Sequence, residues 1–297
     1  MGYYGELDGQ VMEQNILLII DPQMDFCDPY RGTLYVDGAV QDMFRLSDFI
    51  EHNKALFDHI IVSLDSHSLY QPFHPDFWVA GDSPAAKRNG LFYNVGENPQ
   101  PFIDISLDDM EDDIWVPVHR SNFNRMVSMF KQLKEHGQVL TIWPVHCILG
   151  TPGHAVHPRL MEAINVHSRY WRNSCDMVIK GQSPNAEHYG VFYPEATFTD
   201  DPFTKVNVAL LDRLYKASRI YVAGEAKSHC VLTTLKQMIQ CGVSARKIYV
   251  LTDCMSSVPD VPLPDGSVIE FDKITEKEFD GFKEKGIKFM RVLPFIT

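Results

Sequence analysis

The chain of 297 residues is poor in positive charge, in cysteine and in long apolar runs. Lys and Arg number 27 against 39 Asp and Glu, giving a formal net charge of −12, and no basic stripe interrupts the deficit. A surface this acidic repels phosphate backbones, so no nucleic-acid partner is expected. The longest purely aliphatic run, Ile16 to Ile20, falls far short of the roughly 20 residues that cross a bilayer, so no membrane span is read. The opening Met1-Gly2-Tyr3-Tyr4-Gly5-Glu6 has no basic segment followed by an apolar one, and Pro294-Phe295-Ile296-Thr297 carries no lipidation or retention motif. Six cysteines are sparse for this length, and no pair has CxxC spacing. They are expected to be reduced thiols in a cytoplasmic protein, not a disulfide framework.

What is present is an alternation of short apolar runs with helical periodicity. Strands are expected at Asn15 to Ile20, Ile60 to Leu64, Val139 to Ile142, Met177 to Ile179, Ile220 to Ala223 and Ile248 to Leu251. Between them, Val40, Met43, Phe44, Leu46 and Ile50 recur at helical spacing, as do Met126, Phe130 and Leu133, and Val206, Leu210, Leu211 and Leu214. A helix from about Cys230 to Cys241 stops at Gly242, and a last helix (about Thr275 to Lys285) and strand (Lys288 to Val292) are expected to add an edge to the sheet. The pattern predicts an α/β fold: three layers, doubly wound, with a mostly parallel sheet and helices on both faces. Two stretches break the rhythm, at about 75–117 and 259–272, and read as insertions without enough apolar periodicity for a core of their own. The first ends in Asp108-Asp109-Met110-Glu111-Asp112-Asp113, expected to be a solvated loop.

The strand ends hold the chemistry. Asp21, Asp65, Lys180 and the segment Glu225-Ala226-Lys227-Ser228-His229-Cys230 each follow a predicted strand. In an open parallel sheet ligands bind at the carboxyl ends of strands, so two acids, a lysine and a thiol should converge there. A single Asp after a strand is an ordinary turn or cap residue; four strand ends together are not explained that way. Cys230 opens a helix with a lysine nearby, a setting that favours the thiolate. Asp65-Ser66-His67, with His74 in the same loop and His146 at the end of another strand, could hold a metal. With 12 histidines a chance D-x-H is common, and the spacing alone leaves both readings open.

Asp21-Pro22-Gln23-Met24-Asp25-Phe26 resembles the D-x-Q-x-D-F opening of the isochorismatase-like cysteine hydrolases. Asp65-Ser66-His67, Trp143-Pro144-Val145-His146-Cys147 and Gly150-Thr151-Pro152-Gly153 resemble the nicotinamidase/pyrazinamidase branch. Ile179-Lys180-Gly181 is similar to its lysine strand, and Gly224 to Val231 to its cysteine elbow, all in family order. The resemblance implies a catalytic triad of Asp21, Lys180 and Cys230, and an oxyanion hole from the amides of Ala226 and Cys230 beside a cis Glu225-Ala226 peptide. It also implies one divalent metal ion (Zn, Fe or Mn) held by Asp65, His67, His74 and His146, and a pocket walled by Phe26 and Trp143. The loop that carries His188 and Tyr189 would border that pocket. On this reading one domain covers 14–297, enlarged by the two insertions, with 1–13 as an N-terminal extension.

The implied activity is a metal-assisted cysteine amidohydrolase for a small carboxamide, with nicotinamide to nicotinate plus ammonia, a step of NAD salvage, as the leading substrate. Another small amide or carbamoyl compound is the alternative, as is a silent paralogue used as a binding protein. Isochorismatase chemistry requires neither the cysteine nor the histidines. The partner expected is a small-molecule amide, and a homo-oligomer is left open. The sequence departs from the family pattern at Lys227-Ser228, where a small residue and Asp are usual, and in the spacing from His67 to His74.

Overall fold

Leu17 and Ile19 point to one face of a central strand and Ile16, Leu18 and Ile20 to the other, and none of the five is more than 1% exposed. The side-chain period of two, buried on both sides, is what a strand inside a covered parallel sheet requires. The computed structural model describes residues 14–83, 94–262 and 268–292. That strand, β1 (Asn15–Ile20), is joined by β2 (His59–Asp65), β3 (Asp176–Lys180), β4 (Arg219–Gly224), β5 (Ile248–Leu251) and β6 (Lys288–Met290). They lie in the order β6-β5-β4-β1-β2-β3, and every pairing is parallel. The chain therefore builds outward from β1 through β2 to β3, then crosses to the other side of β1. The reversal opens a crevice at the carboxyl ends of β1 and β4, where open α/β sheets bind ligands.

Helices α1 (Ala39–His52), α2 (Phe123–Glu135), α3 (Pro158–Trp171), α4 (Val208–Lys216), α5 (Leu232–Gln240) and α6 (Phe271–Lys285) complete the frame. Met43, Leu46 and Ile50 of α1 and Leu160, Ala163 and Ile164 of α3 pack with Leu17, Ile19 and Val62. On the opposite face, Leu210 and Leu214 of α4, Leu235 and Met238 of α5, and Phe279 and Phe282 of α6 pack with Ile16, Leu18 and Ile20. Truncating one such side chain to Ala costs about 2–5 kcal/mol. Among the described residues no helix is long and apolar enough to cross a membrane.

Three readings are corrected. The strand expected at Val139 to Ile142 is only Leu140–Thr141, and it pairs antiparallel with Asp104–Ile105 outside the main sheet. The outer edge of β2, where it would have docked, is taken by β3. Helix α3 escaped the periodicity reading, although Pro158 suits its first position and Leu160, Ala163, Ile164 and His167 are buried at helical spacing. The acidic run is not simply a loop: Ser106 caps a one-turn helix, Leu107–Glu111, that turns Met110 inward. Phe77, Trp78, Ile105, Met110 and Trp115 of the first insertion share a third buried cluster with Met126, Phe130 and Leu133 of α2. The insertion thus borrows a helix to close its core. Residues 1–13, and the stretches 84–93 and 263–267 of the two insertions, lie outside the described residues.

Candidate active site and metal centre

Asp21 leaves β1 with a left-handed backbone, φ 42°, a conformation that Asp tolerates better than most residues. Ser63 of β2 fixes it: its hydroxyl donates to Asp21 Oδ1 at 2.6 Å and accepts from the Asp21 amide at 3.1 Å. Lys180, at the end of β3, sets Nζ 2.9 Å from Asp21 Oδ2 and 2.9 Å from Asp65 Oδ1. It also donates to the His188 carbonyl at 2.8 Å and faces Cys230 Sγ at 3.7 Å. The structure therefore brings together Asp21, Lys180 and Cys230 from three strand ends, all buried.

Burial raises the Asp21 pKa, and the ammonium of Lys180 opposes it only in part. Burial also works against a charged Lys180, yet the flanking Asp21 and Asp65 hold its pKa well above the ordinary value. Asp65 is likewise penalised by burial, but His67 and Lys180 keep it well below the usual carboxylate range. The thiolate expected for Cys230 is corrected here. Burial pushes the thiol pKa well up, Lys180 pulls it back only partly, and the two carboxylates add to the rise. Cys230 rests as a thiol beside a carboxylate whose own proton affinity is raised, which is an arrangement suited to proton transfer. Cys230 also sits one turn earlier than a helix start, in a π-turn (Lys227–Val231) that runs into α5.

Asp65 has a second oxygen. Its Oδ2 lies 2.9 Å from His67 Nε2 and 3.5 Å from His146 Nε2, and single donor atoms of the three residues fall within 4.8 Å of one another. Each expected histidine spends Nδ1 on a backbone carbonyl: His67 on Gly181, His146 on Pro144 and His74 on Leu69. That bond fixes the ring and leaves Nε2 as the free donor, as in metal sites. The Nε2 atoms of His67 and His74 are buried without a hydrogen bond, and burial lowers the His74 pKa to about 3, so its ring is neutral. Two or three imidazoles and a carboxylate suit Zn, Fe or Mn, so the residues fit the ion. His74 stands slightly apart, with its ring centre 5.6 Å from His67 and 5.4 Å from His146. Gly181 follows Lys180 at φ 82°, and a Cβ there would meet His67 Cε1 at 2.6 Å.

A small pocket lies over Cys230, lined by Phe26, Trp143, Tyr189, His146 and Ala226 among others. Trp143 Nε1 donates to the Tyr189 hydroxyl at 3.0 Å, which squares one wall. The Glu225-Ala226 peptide is cis, as the resemblance implied. Two titratable lining residues were absent from the expected set. His229 packs its ring 5.3 Å from Trp143, and burial lowers its pKa to about 4. Glu187 accepts from the His188 amide at 2.8 Å, and burial raises its pKa to about 8, so the pocket holds a neutral carboxylic acid at pH 7. The signal for Glu187 was its place seven residues beyond Lys180, in the loop that carries Tyr189.

The rest of the opening motif braces these loops. Gln23 pairs with the Asp65 backbone through both ends of its amide, at 2.7 Å each. Asp25 accepts from the Cys147 amide at 2.6 Å, holding the His146 segment, and a Cβ on Gly153 would strike Asp25 at 2.1 Å. Lys227, the departure from the family pattern, turns away to Asp272 and Glu276 at the start of α6, at 2.8 and 2.5 Å. His154 bonds Ser66 and His157 caps α3, so neither joins the cluster.

No family model matches the chain, and no curated protein matches its sequence. Solved structures do. The yeast nicotinamidase bound to the inhibitor nicotinaldehyde aligns over 94% of this chain and 100% of its own, at 18% identity and a TM-score of 0.59. A nicotinamidase/pyrazinamidase of Acinetobacter baumanii covers 94% and 97%, at 17% identity and a TM-score of 0.57. The pyrazinamidase of Pyrococcus horikoshii in complex with zinc covers 94% and 99%, at 18% identity and a TM-score of 0.50. The chain has the isochorismatase-like α/β fold of nicotinamidase and pyrazinamidase structures.

Proposed function

We propose that this chain is a cysteine amidohydrolase of small carboxamides, with nicotinamide to nicotinate and ammonia as the leading reaction. One observation carries the reading: Lys180 Nζ touches Asp21, Asp65 and Cys230 Sγ at once, and Asp65 and Cys230 line an aromatic pocket. A carboxamide needs a strong nucleophile, donors for its oxyanion and a proton for the departing amine. Asp21 takes the thiol proton as Cys230 Sγ bonds to the carbonyl carbon. The amides of Ala226 and Cys230 receive the oxyanion, and Asp21 returns the proton to nitrogen so that ammonia leaves. Water then cleaves the thioester, with Asp21 accepting its proton and passing it to the departing Cys230 Sγ as the acid forms. Lys180 keeps Asp21 and the sulfur in register throughout. Asp65, His67 and His146, with His74 behind them, would hold one divalent ion, which supplies Lewis acidity and positive charge beside the pocket.

The test is ammonia release from nicotinamide by wild type and Cys230→Ala. The variant should lose activity by a factor of about 10³ or more, as nucleophile deletions do. A Cys230→Ala enzyme with full activity, or a wild type that releases no ammonia from any small amide, sinks the reading.

A further inference from the structure

A second, larger cavity adjoins the pocket over Cys230. Leu34, Val36, Trp143 and Val258 face both spaces. The outer one holds about 410 Å³, more than a single pyridine ring fills. Both insertions build it, Phe102 and Asp104 from the first and Val261, Ile269 and Phe271 from around the second. A row of rings runs between the two spaces. Phe271 lies 5.0 Å from His229, His229 lies 5.3 Å from Trp143, and Trp143 lies 6.1 Å from Phe102. Among the described residues, the only charged ones lining the cavity are Asp104 and Asp260. Thr141 donates to Asp104 at 2.7 Å and so holds one of these carboxylates in place.

We infer that the cavity is a subsite for a neutral, apolar extension on the acyl side of the amide, so that the preferred substrates are aryl carboxamides carrying an alkyl or aryl substituent. The inference rests on the amidase reading for its chemistry, and on the shared wall and the aromatic row for its geometry. Apolar walls gain by covering a hydrocarbon substituent, and an added methylene tightens binding by about tenfold or more in a fitted pocket. An extension ending in a carboxylate would meet Asp104 and Asp260 with no cation to receive it. The selectivity is therefore for neutral tails over anionic ones.

The experiment titrates Cys230→Ala protein by calorimetry with nicotinamide, its 5-butyl, 5-phenyl and 6-phenyl derivatives, and a 6-(4-carboxyphenyl) derivative. At least one neutral derivative should bind about tenfold tighter than nicotinamide, and the carboxylate should lose that gain. Val139 lines the cavity and is 58% exposed, so a larger side chain has room to fold. In the same background Val139→Trp should erase the gain and leave nicotinamide within about twofold, and Asp104→Asn should recover binding of the carboxylate. Equal binding of all neutral ligands, or equal weakening of all by Val139→Trp, overturns the subsite. Ammonia release by wild type separates the two readings. Discrimination of tails without turnover of any amide sinks the amidase and keeps the subsite, whereas turnover of nicotinamide without discrimination does the reverse.

Discussion

Two lysines in this molecule each stand between two carboxylates, and they could hardly differ more. Lys180 is 1% exposed, with Asp21 and Asp65 at 0% and 6%. Lys227, on the back of the cysteine elbow, is 10% exposed, but its partners Asp272 and Glu276 are 61% and 49% exposed. The charges and distances are alike. In the first group no water shares the load, so removing one member strands the others; in the second, solvent takes over. The same trio forms the proposed reaction centre at strand ends and a clasp between a turn and a helix elsewhere. Desolvation makes the difference.

The sharpest way to break the contrast is Lys180→Met. It leaves Asp21 and Asp65 buried side by side, and should cost about 3–5 kcal/mol in urea unfolding. Ammonia release should fall by about 10³ or more in the same variant. A stability loss below about 1 kcal/mol would place Lys180 with Lys227 and remove the distinction. His67→Ala probes the other side of Asp65. It should weaken divalent-metal retention by about tenfold or more, read by elemental analysis after dialysis against a chelator. A full metal complement would strike His67 from the ligands.

Glu187 offers a third case, a buried carboxyl with no lysine against it, and it holds its proton to about pH 8. Below that pH the group is neutral, so wild type and Glu187→Gln should run together. Above it, wild type places a negative charge beside the forming oxyanion and should lose rate, while the Gln variant should not. Identical pH–rate profiles from pH 6 to 9 would count against a role for Glu187 in the pocket. The smallest effect is expected for Lys227→Met: about 1 kcal/mol or less in stability and under about twofold in activity. A larger loss would mean that the clasp positions the elbow itself.

Most of the sheet is legible in the chain because buried strands advertise themselves. Asn15 to Ile20 is a strand at both stages, since its five aliphatic residues have no amphipathic alternative. The strand ends also forecast where Asp21, Lys180 and Cys230 meet, because a doubly wound sheet leaves few other places. What could not be read depends on contacts distant in sequence. The Cys230 thiol is set by how deeply three strands bury it, and a helix-start argument carries no measure of burial. Glu187 looks like any loop acid until its neighbours are known. Leu140 and Thr141 have strand chemistry, but only the fold shows that their partner is Asp104–Ile105 and not the main sheet. Trp78 and Trp115 lack helical or strand-long periodicity, so the core they share with α2 was invisible as a pattern.

Asp65 divides its two oxygens between Lys180 and the histidines. One carboxylate therefore serves as a common ground for two cation sites. Any occupant of the histidine cluster that draws on Oδ2 weakens the hold of Oδ1 on Lys180. By linkage, the ammonium resists that occupant by the same free energy. The proposed nucleophile and metal centre cannot be retuned separately: a change in either sends an equal and opposite demand through a single side chain.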